Sequence, residues 1–117
     1  METENPIWIA SESVVFLHPN GDHVSGRIAV GLPAQIDATE ARCKIALDGL
    51  DHIHIRIGGA TPLHALLLGI QYIGMRLHSF RSKGGMVLTP DDEPVNLEAM
   101  FGPLLQPAVV PKIAGDS

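Results

Sequence analysis

Apolar positions along this chain follow two different periods. Up to residue 57 they come in short runs separated by Gly, Pro, Asn and Asp. From Leu63 onward the spacing changes: Leu63, Leu66, Leu67, Ile70, Ile73, Gly74, Leu77 and Phe80 recur three and four residues apart. That spacing draws one wide apolar stripe and predicts a helix over 61–82. Thr61 is placed to cap it, and Pro62 takes the first helical position, where a missing N–H costs nothing. Arg81 and Lys83 suit the negative end of the helix dipole, and Gly84-Gly85 stops the chain there.

The shorter runs predict strands. Residues 7–17 are β-branched or aromatic in the main, and His18-Pro19-Asn20-Gly21-Asp22-His23 turns the chain, with Asn-Gly as its hairpin signal. A second strand covers 24–32, with Val24, Ile28 and Val30 on one face, Arg27 on the other, and a bulge expected at Gly26. Residues 33–41 read as a loop, in which Asp37-Ala38-Thr39-Glu40 has the shape of a capping box and predicts a helical turn. A third strand over 42–47 sets Cys43, Ile45 and Leu47 against Arg42 and Lys44. A fourth over 52–57 alternates, with Ile53, Ile55 and Ile57 inward and His52, His54 and Arg56 outward. A hairpin between these two needs an odd-length connection, because an even one would set Ile45 against a histidine. Beyond the helix, 86–89 suit a short strand, 90–94 an acidic turn, and Asn96 caps a short helix over 97–101 ended by Gly102.

These elements predict an α+β two-layer domain: an antiparallel sheet of four to five strands with one long helix packed on one face. Residues 1–117 form a single domain on this reading. Its core spans 7–102, residues 1–6 are a frayed end, and 103–117 are an irregular but apolar tail.

Composition narrows the function classes. Hydrophobic residues make up 45% and charged ones 18%, as in an ordinary globular chain rather than a disordered one. The net charge of −5 lacks the basic footprint that phosphate backbones demand, so no nucleic acid is expected as partner. The apolar run Ala65 to Ile70 is far below the ~20 residues of a membrane span, so no membrane is expected either. METENPIW has no basic, apolar leader pattern, and a single cysteine suits a reducing compartment. The expected location is the cytoplasm.

The succession of N-G turn, strand ending GLP, CKIALDGL and IGGATPLHALLLGIQYIGMRL resembles a family of small uncharacterised bacterial proteins, a domain of unknown function. Its pattern is a hairpin, a cysteine-bearing strand and a glycine-led turn into a helix reading roughly D-S-L-Q-A-L-L-L-A-L. Cys43, Gly58, Gly59, Leu63, Ala65, Leu66, Leu67 and Leu68 fall on that pattern. Thr61-Pro62 stands in place of D-S, and His64 replaces the glutamine. The resemblance covers roughly residues 10–80. It carries core and capping positions and supplies no catalytic residue.

Candidate chemistry is sparse. Arg42, Lys44, His52, His54 and Arg56 project from adjacent strands as a basic stripe on the open sheet face, suited to a carboxylate, a phosphate or an acidic partner. His52 and His54 are the pair a zinc or nickel ion would use, with Asp48 or Asp51 as a further ligand. A solvated strand face accounts for them better, since Arg42 and Lys44 beside them oppose cation binding, and no metal or cofactor is expected. His18 and His23 bracket the first turn, and His64 and His78 lie on the helix's polar side without a partner carboxylate. Cys43 points with the core and reads as packing. Leu68, Tyr72 and Met75 group beside that polar side of the helix, which predicts an oligomer interface. The expected function is therefore a non-enzymatic binding or interaction module that self-associates as a homo-oligomer. Two alternatives are an immunity-type or regulatory inhibitor of a basic protein partner, and a metal-dependent small-molecule enzyme built on His52 and His54.

Overall fold

A computed structural model describes residues 7–102. Six strands and two helices follow in order: β1 (Trp8–Leu17), β2 (His23–Gly31), β3 (Ala34–Gln35), β4 (Ala41–Asp48), β5 (Ile55–Gly59), α1 (Pro62–Ser82), β6 (Met86–Leu88) and α2 (Leu97–Phe101). All pair antiparallel in one sheet ordered β3-β4-β2-β1-β6, with β5 on β4. Among the described residues this is the α+β architecture expected: one long helix against one face of an antiparallel sheet. The expected tail over 103–117 and the end at 1–6 lie outside the described residues.

Alternation fixes which side chains meet α1. Ile28 pairs with Leu47 and Val30 with Ile45, and Cys43 pairs with Ile57, so these six share the helix-facing side. With Val14, Phe16, Ile73, Leu77, Phe80 and Leu97 most of them form the core. The pairing of Ile45 with Ile55 leaves nine residues between them, the odd-length connection that keeps isoleucine opposite isoleucine. The strand itself starts late, however. Ile53 is 71% exposed, and His52, Ile53 and His54 precede β5 rather than forming its first half. Gly49, at φ +97°, and the bridge between Asp48 and Asp51 hold 48–51 in a tight turn, and the ladder resumes only at Ile55.

The helix begins and ends as its capping residues dictate. The Thr61 side chain accepts from the His64 N–H, while His64 Nδ1 accepts from the Ala60 N–H. This reciprocal arrangement satisfies two of the donors a helix start leaves open. The buried side of α1 differs from the expected stripe in its first half. Ala65 and Gly69 face the sheet, whereas Leu63 and Leu67 are 64% and 53% exposed. A Cβ on Gly69 would lie 2.9 Å from Ile45 Cδ1 and 3.4 Å from Cys43 Sγ. The helix therefore approaches β4 through its small residues, and the large leucines are left to flank the contact.

Two local expectations are corrected. Gly26 is no bulge: it pairs regularly with Val14, and it is glycine because a Cβ there would overlap the Asp48 carbonyl. The irregularity lies in β1 instead, between Trp8 and Ala10, where Trp8 pairs with Gly31 and Ala10 with Val30. Residues 37–40 make no helical turn. Asp37 Oδ1 instead accepts from the Thr39 N–H and hydroxyl, an Asx turn that holds the Asp37 carboxyl below its usual range.

Candidate functional site

The sheet face opposite α1 carries residues of the other parity. On β4 these are Arg42, Lys44, Ala46 and Asp48; on β2, Arg27, Ala29 and Gly31; on β5, Arg56 and Gly58. The irregularity in β1 adds Trp8 to this side through its pairing with Gly31. The structure divides the expected basic stripe into two parts.

The first part is a closed cluster. Arg27 packs over the Trp8 ring at 5.0 Å, and His54 meets the same ring edge-on at 5.3 Å. Arg27 Nη2 lies 3.0 Å from Asp48 Oδ2, and His54 Nε2 donates to Asp48 Oδ1 at 3.2 Å. Ala29 and Ala46 oppose each other on this face and are buried although α1 lies on the other side. Burial there needs a cover, and the indole held between Arg27 and His54 is the large group placed to supply it. His54 is thus committed to Asp48 and Trp8, and His52 stands exposed outside any strand. The expectation of two imidazoles projecting together from one strand is corrected accordingly. Among the described residues no group of three or more His, Cys, Asp or Glu side chains is placed to hold a metal ion.

The second part is open. Arg42, Lys44 and Arg56 line a pocket of about 460 Å³ together with Ile7, Leu32 and Ile36. Lys44 and Arg56 are directly paired across β4 and β5. Neither has a salt bridge among the described residues, whereas Arg42 Nε donates to Glu40 Oε2 at 2.9 Å. That pair raises the Arg42 pKa further above its ordinary value. The three apolar walls are all more than half exposed and come from the ends of strands or from the 33–40 loop, where no period marks them. Like charges set opposite each other destabilise a sheet, so this pocket holds an uncompensated positive field beside apolar walls.

On the helix side, Leu68, Tyr72 and Met75 come together with Gln71 and with Ile57 of β5 around a groove of about 410 Å³. They form the flank of α1 next to β5, which among the described residues is an edge strand paired only to β4. Arg76, one residue on from Met75, is ion-paired with Asp51, which ties this flank to the turn after β4. The opposite flank contributes Ile70 and Ile73 to a smaller apolar groove with Met100 and Phe101.

The remaining candidates stand apart. His18 Nε2 donates to the Gly49 carbonyl at 3.2 Å and its ring packs edge-on against Phe80, while His23 is exposed and pairs with Leu17, so the two do not face each other. His78 Nδ1 is buried without a hydrogen-bond partner among the described residues. Cys43 is buried among core residues with its Sγ 3.4 Å from the Gly31 carbonyl, and burial pushes its pKa up, away from a reactive thiolate. Among the described residues no helix is long and apolar enough to cross a membrane. The chain matches no family model, no curated protein and no solved structure.

Proposed function

We infer that this chain is a non-enzymatic binding module that self-associates through the flank of α1 bearing Leu68, Tyr72 and Met75. The supporting observation is their convergence with Ile57 on one groove beside a sheet edge that is unpaired among the described residues. An edge strand presents unpaired N–H and C=O groups, and an apolar groove next to it adds area that water-exposed edges ordinarily avoid. A second copy related by a two-fold axis is the occupant that fits the charges of β5. Antiparallel pairing of β5 with its own copy, centred on Ile57, sets each Arg56 opposite a glycine, Gly58, of the other copy. Centring on Arg56 would set guanidinium against guanidinium, so repulsion selects the first register.

The test is the mass in solution of the full chain and of Met75→Glu and Leu68→Glu/Met75→Glu. The native chain is expected at twice the chain mass or a higher multiple, and both variants at the chain mass. Met75 is partly exposed, so M75E alone reports on the interface if the double variant does not fold. A native chain that is already monomeric overturns the reading, and so does a variant that folds and keeps its multiple mass.

A further inference from the structure

We propose that the pocket between Ile7, Leu32, Ile36, Arg42, Lys44 and Arg56 is a binding site for a small amphiphilic acid, an oxyanion head on an apolar body. It lies on the sheet face away from α1, whereas the interface proposed above uses the helix side and the edge of β5; Arg56 is the one residue the two have in common.

The cations define the head. Lys44 and Arg56 are set opposite each other by the β4–β5 register, which fixes where both side chains leave the backbone. Each lacks an ion pair among the described residues, in a protein whose net charge is −5. An anion bound between them removes their mutual repulsion and accepts charge-assisted hydrogen bonds from both. Arg42 closes the same side; its Nε is taken by Glu40, which orients the guanidinium and leaves its terminal N–H groups for the ligand.

The walls define the body. Ile7, Leu32 and Ile36 are 64%, 53% and 51% exposed, and all three line this one pocket. Their position is fixed: the Leu32 N–H donates to the Ile7 carbonyl at 2.8 Å, and the Ile36 N–H donates to the Glu40 carbonyl at 2.8 Å. A volume of about 460 Å³ lies within the range of small-molecule sites, which combine mostly apolar walls with a few fixed polar groups. Inorganic phosphate would leave the apolar walls wet, and a hydrocarbon would leave two cations without a counter-charge. A ligand carrying both parts satisfies both halves of the pocket.

The experiment is calorimetric titration of the full chain with octanoate, octyl phosphate, octanol and acetate. Octanoate or octyl phosphate is expected to bind at least tenfold more tightly than octanol or acetate, and whichever of the two binds better names the head as carboxylate or phosphate. Lys44→Gln and Arg56→Gln are each expected to weaken that binding tenfold or more, and Leu32→Ser to weaken it while leaving acetate unaffected. Removing one of two opposed like charges relieves strain in the sheet, so the Gln variants fold. Three results overturn the proposal: neither octanoate nor octyl phosphate binds at millimolar concentration, octanol or acetate binds equally well, or both Gln variants retain the native affinity.

Discussion

Lys44 faces Arg56 squarely across the β4–β5 ladder, cation against cation, with no carboxylate bridging them among the described residues. Such a pair weakens the sheet by about 0.2–1 kcal/mol relative to neutral neighbours. Lys44→Gln keeps the stem that packs along the strand and removes the charge. The variant should unfold at a higher urea concentration than the native chain, and the difference should shrink as salt screens the native repulsion. A Gln variant that is less stable at low salt would show that the lysine has a partner in solution. The same substitution that stabilises the fold is expected to lose the acidic ligand, so stability and binding should move in opposite directions.

Gly69 sits where α1 comes closest to β4. Gly69→Ala gains helix propensity, about 1 kcal/mol at an open position, but its methyl meets Ile45 Cδ1 at 2.9 Å. Overfilling a packed core costs about 1–3 kcal/mol, so the net change should be destabilising. Ile45→Val removes the δ-methyl and should turn G69A from destabilising to stabilising. A double-mutant cycle by urea denaturation should therefore give a favourable coupling of about 1 kcal/mol or more. Additive effects would mean that the helix has moved off the strand.

Arg81 reaches from the last turn of α1 to Glu98 of α2, with Nη2 on Oε2 at 2.6 Å and Nη1 on Oε1 at 3.2 Å. The hydrogen bonds from Arg81 hold the Glu98 carboxyl below its usual range. A carboxyl depressed on folding stabilises the fold above its unfolded pKa, and that contribution is lost as pH falls through the folded value. Protection of the α2 amides against exchange, taken relative to the intrinsic rate at each pH, should accordingly fall as the pH is lowered below the ordinary glutamate range. In Glu98→Gln that acid-induced step should be missing and α2 should show the lower protection throughout. A variant with the native pH profile would place the acid sensitivity elsewhere.

Much of the fold is legible in the sequence because strands and caps announce themselves locally. Asn20-Gly21, Thr61-Pro62 and Asn96 each fix an element boundary through one or two residues, and the isoleucine–isoleucine register follows from parity alone. What escaped has a common physical cause, which is that long-range contact decided the outcome. Leu63 and Leu67 score as core while Ala65 and Gly69 do not, yet the smaller pair allows the closer approach to Ile45 and Cys43. Ile53 keeps perfect alternation with Ile55 and Ile57, but the turn over 48–51 delays the ladder past it. The cations of the open pocket are visible by alternation in β4 and β5. Its apolar half is not, since Ile7, Leu32 and Ile36 share no period and meet only through the pairing of their neighbours.

The irregularity between Trp8 and Ala10 shows how little information can decide a layer. By simple alternation Trp8 belongs with Ala10, Val14 and Phe16 and would be aimed at α1. One supernumerary residue, Ile9, shifts the phase and sets the indole between Arg27 and His54 on the opposite face instead. Shortening the chain by Ile9 would leave the tryptophan where it is, with the strand merely regular. Lengthening it by one residue, with the one-residue bulge kept, would move Trp8 one ladder position past Gly31 and send the ring to the other side of the sheet. The start of β1 should therefore accept a deletion in evolution and reject an insertion, an asymmetry set by counting and not by side-chain chemistry.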